Sequence, residues 1–378
     1  MEVTLFSNDR EAVFVSRPNR FVIIARDGDE ELICHCPNPG RLIELLFPGE
    51  RLILEKRRSE KAKTGWTAVG VYHRGNVVPL CPVRANAAAE GLIIPRLIPG
   101  LAELRSEYTA GSSRFDFMGV DRNGKRHLIE VKACSLVEYG VAMFPDAPSE
   151  RALRHLEELA AFAGEGYCCH IVFVIMHGEA AVFVPALHTD PRFAAALNGY
   201  AANVNFHASL IRCGSSGGAF LAEAEVPIDL SHGVLASEDR GNYLIVMEML
   251  ESQEVMVGAL GAVSITAGWY VYAGSAQKYL SRRMSRHLRK TGKRLHWHID
   301  YLAPYRARAS ALPILSYRNI ECDLARGLAS AGGQAVPGFG CSDCACGSHL
   351  FYFPDPPMEN REFVTMLLRF RHAESLRR

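Results

Sequence analysis

Five short apolar runs crowd into the first 85 residues: EAVFVSR, RFVIIAR, EELICHCP, ERLILEKR and WTAVGVYHR. Each is rich in aliphatic, β-branched or aromatic residues, and turn signals such as RDGDE, FPGE and HRGN separate them. Five strands in so short a length suit a small barrel of the OB type, predicted over residues 1–85. A chain of 378 residues is too long for that barrel alone or for one ordinary core, so further domains must follow.

The text changes at ANAAAEGLI, which favours helix until PRLIPGL breaks it. EYTAGSSRFDFMGV and HLIEVKACSLV then read as paired strands, joined by DRNGKR with its Asn-Gly hairpin signal. SERALRHLEELAAFAGEG predicts an amphipathic helix capped by Ser149, with Leu153, Leu156 and Leu159 on one face. CCHIVFVIM and AAVFVPA are strands of the buried kind, and together these elements predict a mixed α/β domain over 86–228. Gly, Ser and Pro in CGSSGGAFLAEAEVPIDLSHG set the next boundary near 214–235. GNYLIVMEM, GWYVYAGSA, a basic helix and a cysteine-rich loop then predict a third α/β domain over 235–378.

Composition narrows the class. Apolar residues at 48% and charged residues at 22% describe a folded chain rather than a disordered one. No apolar run reaches the roughly 18 residues of a membrane span, and MEVTLFSNDRE lacks the basic, then apolar, start of an export signal. A cytoplasmic protein without a membrane partner is therefore expected, its eleven cysteines mostly reduced. The net charge of +1 excludes no partner, but its distribution is uneven: residues 231–378 hold 18 Lys+Arg against 13 Asp+Glu.

Asp116 lies on one predicted strand, with Glu130 and Lys132 on the next. Residues two apart on a strand face the same side, so Glu130 and Lys132 project together, and Asp116 joins them if the hairpin register cooperates. Two carboxylates offer hard oxygen ligands to Mg²⁺ or Mn²⁺, and the lysine can steady an attacking water or a charged phosphate. The alternative is a solvent-facing charged pair.

HCPNPGRLIELLFPG, SSRFDFMGV, IEVKACSL and FPDAPSERALRHLEEL, in that order and spacing, resemble the bacterial and archaeal sugar fermentation stimulation protein A family over about residues 10–228. The resemblance implies an OB-like barrel followed by a restriction-endonuclease-like PD-(D/E)XK domain, in DNA-binding proteins linked to sugar use. It implies that Asp116, Glu130 and Lys132 form the nuclease-fold motif, with Glu90 and Glu107 as further candidate acids. Pro39, Pro148 and Ala152 depart from the family pattern without touching that trio. Asp146, Arg151 and His155 also fall in these motifs; Arg151 and His155 share a helix face, either to meet a phosphate or as part of a solvated first turn. In the barrel, Arg17, Arg20, His35, Asn38, Arg41 and Trp66 are candidates for a groove that binds nucleic acid. KRRSEKAK, from Lys56 to Lys63, is either a phosphate contact or a solvated loop.

Residues 278–294 carry eight Lys+Arg and no acid. On a helix Arg282, Arg286 and Arg289 stack on one side with His287 beside them, a pattern suited to a phosphate backbone. GNYLIVM and WYVYAGSA resemble the halves of a GIY-YIG pattern, and about 239–355 resembles a GIY-YIG-related domain of unknown function. That resemblance implies catalytic roles for Tyr243 or Tyr272 and for Arg283, with Glu321 holding Mg²⁺ and with His287, His298 and Asp300 as extra polar candidates. Finally, Cys341, Cys344, Cys346 and His349 form C-x2-C-x-C-x2-H, read either as a Zn²⁺ site or as a tight loop of reduced thiols.

The functional expectation is a protein that binds DNA or RNA, with Mg²⁺-dependent phosphodiester hydrolysis through Asp116, Glu130 and Lys132. Two others stand beside it: a non-catalytic DNA-binding regulator of sugar metabolism genes built on nuclease folds, and an enzyme acting on small nucleotides.

Overall fold

In the computed structural model, residues 1–58 and 63–372 are described, and the chain divides into two compact units, Met1–Gly233 and Val234–Arg378. In the N-terminal unit the strands Arg10–Asn19, Val22–Asp27, Glu30–His35, Arg51–Lys56 and Trp66–His73 belong to one sheet, the first pairing with both the second and the fourth. A parallel contact of Cys34–His35 with Trp66–Thr67 closes them into a five-stranded barrel. Inward alternation fills it with Ile23, Ala25, Cys34, Leu52, Leu54, Ala68 and Val71. Closure removes the free edges that five isolated strands would expose.

Asn76–Pro79 continues the sheet, pairing with Trp66–His73 on one side and meeting Cys213 on the other. The boundary expected at residue 85 therefore runs inside one compact unit. The sheet then proceeds through Asn205–Cys213, Cys168–Ile175, Arg126–Cys134 and Ser113–Asp121 to the edge strand Leu101–Ala110. Its central pairings are parallel, and each face is covered by a core. The Glu150–Gly164 helix packs Leu153, Leu156 and Leu159 on one face, and Ser149 Oγ accepts from the N–H of Ala152. The helical run from Ala85 to Leu97 packs on the other. It passes through Pro95, where the sequence predicts a break: a wide π turn over Ala89–Ile93 has already interrupted the α-helical ladder, and Pro95 sits in the first turn after it, where its missing N–H costs nothing.

The C-terminal unit is an antiparallel sheet in the order Arg308–Leu315, Gly241–Met249, Gly268–Ala276, Leu350–Phe353 and Gln334–Ala335. The Glu321–Ser330 and Arg361–His372 helices pack against it. The basic segment is helical only over Leu280–Leu288, shorter than the 278–294 pattern suggested. Tyr279 enters it in a left-handed conformation, and Arg289 leaves it extended, ahead of Thr291-Gly292. No helix among the described residues is long and apolar enough to cross a membrane.

Candidate active site

Leu128, Glu130 and Lys132 alternate along the Arg126–Cys134 strand. Leu128 packs with Leu153 and Leu156 of the Glu150–Gly164 helix, so this face of the strand carries Glu130 towards the same helix. The ladder with the neighbouring Ser113–Asp121 strand ends where Phe117 faces Ile129. One residue further the Asp116 side chain takes over: its Oδ2 accepts from Val131 N–H at 2.8 Å and its Oδ1 from Asn86 Nδ2 at 2.8 Å. Asp116 is thus locked to the strand that carries Glu130.

Glu130 is 3% exposed. Its Oε1 accepts from Lys132 Nζ and from His155 Nδ1, each at 2.6 Å. Its Oε2 is buried without a hydrogen-bond partner among the described residues. Burial works against charge on Glu130, but Lys132 and His155 more than offset it and hold the carboxyl below its usual range. Asp116 is pushed the other way, by burial and then by repulsion from Glu130. An unsatisfied oxygen beside a destabilised second acid is an arrangement that a divalent cation would relieve.

A cleft of about 420 Å³ opens over these groups, with Asn86, Asp116, Glu130, Lys132, Arg20 and Arg151 in its wall. Asp146 lines it too, its carboxylate occupying the space beside Gly40 where any Cβ would collide. Glu90 and Glu107 do not line the cleft. Both are exposed, and Glu107 faces Arg114 at 3.5 Å.

Several residues expected to touch nucleic acid serve the fold instead. His155 is 2% exposed and orients Glu130, because the helix turn that carries it packs onto the sheet. Arg17 spends its guanidinium on the carbonyls of Arg20, Asn38, Gly40 and Arg41. Asn38 is buried and accepts from Gly40 N–H, closing the same loop, and it stands in the cleft wall. Trp66 packs partly against the barrel core, with Arg10 over its ring. Arg41 is exposed and His35 half-buried, outside the cleft wall. In the Lys56–Lys63 run, residues 59–62 lie outside the described residues.

In the C-terminal unit Tyr243 stands opposite Gly274 across the sheet, and its ring lies where a Cβ at Gly274 would be. Tyr243 Oη is 3.0 Å from His287 Nε2, and Tyr272, Arg283 and Glu321 lie near enough to interact electrostatically. Both tyrosines are buried, and burial pushes both phenols well above their usual range, Arg283 offsetting it only in part. Neither is poised as a tyrosinate.

His287 is fully buried, so it is no phosphate contact. Arg286 is turned inward and makes a two-pronged pair with Asp300 at 3.0 and 2.9 Å. Asp300 also meets Lys293 at 3.2 Å and accepts from the N–H groups of His296 and Trp297. Burial opposes its charge, but His287, Arg286 and those N–H groups hold the carboxyl well below the usual range. His298 Nδ1 accepts from Gly340 N–H. Arg282 and Arg289 are exposed and, with Ser281, Ser285 and Arg286, line a shallow groove of about 570 Å³. Glu321 uses both oxygens, one on Ser275 Oγ at 2.7 Å and one on His349 Nδ1 at 2.9 Å. Cys341 is outside the thiol cluster: the sulfurs grouped with His349 are those of Cys322, Cys344 and Cys346.

Residues 15–80 match the model of the sugar fermentation stimulation protein N-terminal OB domain, and 83–216 that of the sugar fermentation stimulation protein RE domain. A sugar fermentation stimulation protein homolog of Pyrobaculum neutrophilum is 38% identical over 224 residues, 59% of this chain and 94% of its own length. The chain belongs to the sugar fermentation stimulation protein family. A further homolog of that name, from Desulfitobacterium hafniense, is 36% identical over 189 residues, 50% of this chain and 82% of its own. Pyrococcus furiosus SfsA, solved in complex with Ca²⁺, superposes with a TM-score of 0.54 at 27% identity, over 60% of this chain and 99% of that one. Residues 242–372 match a domain of unknown function, DUF123.

Within this family member, two site residues, Asn86 and Cys322, gave no usable signal in sequence, and a third, His155, was singled out for a different partner. Asn86 sits 30 residues before Asp116 in an Ala-rich helix, and only the fold brings them together. His155 stood out by helix spacing, but its true partner is on a strand 25 residues earlier. Cys322 is isolated in ECDLA, 22 positions before Cys344 of the cysteine-rich loop.

Proposed function

We propose that the N-terminal unit binds nucleic acid and hydrolyses a phosphodiester bond with a divalent metal ion in the cleft of Asp116, Glu130 and Lys132, a PD-(D/E)XK-type site. The observation that carries this reading is Glu130 Oε2, a buried carboxylate oxygen with no partner among the described residues, in a wall that also holds Asp116. The donor set is all oxygen, which fits Mg²⁺ or Mn²⁺. When bound, such an ion would supply Lewis-acid stabilisation of the phosphate and a more acidic water. Asp116 and Glu130 would hold it. Asn86 and the Val131 N–H fix Asp116, and His155 fixes Glu130. Lys132 offers its ammonium to the attacking water or to the charge that develops on phosphate. Arg20 and Arg151 in the cleft wall are placed to meet neighbouring phosphates. A hard divalent cation in the Pyrococcus furiosus relative is in keeping with this donor set.

One observation favours a second reading, in which the unit binds DNA without cutting it. Lys132 already neutralises Glu130 at 2.6 Å, so the site tolerates the lack of a metal. The C-terminal unit, read as GIY-YIG-like, serves in either case as a nucleic-acid grip through Arg282 and Arg289, because its tyrosines are buried and Glu321 is engaged internally.

The test is cleavage of labelled duplex DNA, single-stranded DNA and RNA by the full chain with Mg²⁺, Mn²⁺ or EDTA, alongside Asp116→Asn and Glu130→Gln. Metal-dependent products from the wild type and none from either variant, with binding retained, support hydrolysis. Binding without products under every condition establishes the second reading, and unimpaired cleavage by Glu130→Gln removes this site from the chemistry.

A further inference from the structure

The C-terminal unit contains a set of donors that the proposed hydrolysis does not use. Cys322 comes from the first turn of the Glu321–Ser330 helix; Cys344, Cys346 and His349 come from the loop that leads into the Leu350–Phe353 strand. Their three sulfurs and one imidazole nitrogen all lie within 4.8 Å of one another. His349 Nε2 is 3.5 Å from Cys344 Sγ and 4.0 Å from Cys322 Sγ. A tetrahedral zinc with bonds of about 2.3 Å to sulfur and about 2.0 Å to nitrogen sets its sulfur and nitrogen ligands about 3.5 Å apart. The observed spacing therefore needs only a small adjustment.

A second observation points the same way. His349 Nδ1 is 2.9 Å from Glu321 Oε1, and its side chain is only 3% exposed. An ionised carboxylate can only accept, so Nδ1 carries the proton and Nε2 presents its lone pair to the sulfurs. Metal-binding histidines are oriented in this way, the far nitrogen donating to a carboxylate that fixes tautomer and ring angle. Ser275 Oγ holds the other oxygen of Glu321, which completes the support.

We propose that Cys322, Cys344, Cys346 and His349 bind one zinc ion as a closed structural site, with Glu321 as its positioning residue. Three thiolates and an imidazole form a soft set that selects zinc over Mg²⁺ or Ca²⁺, and four protein ligands leave no position for substrate. The ion would pin the Glu321–Ser330 helix to a loop that otherwise has little regular structure. Glu321 then acts through His349, and Cys341, although close in sequence, is not a ligand.

The experiment is metal analysis of the full chain purified under reducing conditions, with Cys322→Ser, Cys341→Ser and Glu321→Gln beside it. One zinc per chain is expected in the wild type and in Cys341→Ser, and little in Cys322→Ser. Glu321→Gln should keep its zinc but release it to a competing chelator at about 10- to 100-fold lower chelator concentration. Should Cys322→Ser fail to fold, exchange of Co²⁺ into the wild type decides the matter: thiolate charge-transfer bands with tetrahedral d–d bands support the site. A wild-type chain that is reduced, folded and free of zinc, and that takes up neither Zn²⁺ nor Co²⁺, overturns the proposal. So does loss of zinc in Cys341→Ser equal to that in Cys322→Ser.

Discussion

Replacing Glu44 by glutamine should change how the stability of the N-terminal unit responds to pH. Glu44 is 2% exposed, and neither carboxylate oxygen has a hydrogen-bond partner among the described residues. Burial, then repulsion from Asp146, pushes its carboxyl from 4.5 to about 8, with Arg17 offsetting only a little. An unfolded chain gives up this proton near 4.5, whereas the folded chain keeps it to about 8. Across that window the folded state binds one more proton, so stability is greatest below 4.5 and drains away as pH rises towards 8. The slope is about 1.4 kcal/mol per pH unit, which between pH 5 and 7 amounts to about 3 kcal/mol. Glutamine has no such proton to lose. Any cost of its unsatisfied amide applies equally at both pH values, and the other titrating groups are common to both proteins. Thermal unfolding followed by circular dichroism gives the readout. For a unit of this size about 3 kcal/mol corresponds to roughly 6–12 °C, so the drop in Tm between pH 5 and 7 should be smaller by that amount in Glu44→Gln. If the two curves of Tm against pH run parallel, Glu44 is not held protonated in the native protein and the reasoning fails.

Other expectations follow from the same geometry. Glu130→Ala should abolish metal-dependent cleavage and also cost about 3–5 kcal/mol in a urea titration, because Lys132 and His155 lose the buried carboxylate between them; an unchanged denaturation midpoint contradicts the pairing. Asp300→Ala should destabilise the C-terminal unit by a similar amount in the same titration, since Arg286, Lys293 and buried His287 depend on it. Arg289→Ala should leave stability within about 0.5 kcal/mol. It should flatten the salt dependence of nucleic-acid affinity by about one for each phosphate that the arginine had neutralised. Arg286→Ala should show the reverse, with a drop in stability and little change in salt slope, and equal slopes for Arg289→Ala and wild type would remove Arg289 from the interface. In a spectrophotometric titration of the native chain, Tyr243 and Tyr272 should not ionise with the exposed tyrosines, and full ionisation of every tyrosine before unfolding would refute their burial.

By itself the sequence determined what local periodicity and turn chemistry can determine. Short strands between Gly- and Pro-rich turns specified the barrel, and two-residue alternation put Glu130 and Lys132 on one face. Ser149 and the leucines three apart specified the Glu150–Gly164 helix and its buried stripe. Four motifs in a fixed order carried the family. Tertiary structure decided which polar side chains face a ligand and which face the protein. Arg17, Arg286, His155 and His287 looked like phosphate contacts in a linear reading, because exposed and buried cations are the same letters. Only the packing of distant segments brought Asn86 to Asp116, Asp300 to Arg286 and Cys322 to His349. Such partners lie 14 to 30 residues apart in the chain, beyond the reach of helix or strand periodicity. They meet because apolar burial fixes the backbone first, and every charge carried inside with it must then find a counter-charge or a hydrogen bond within a few ångströms.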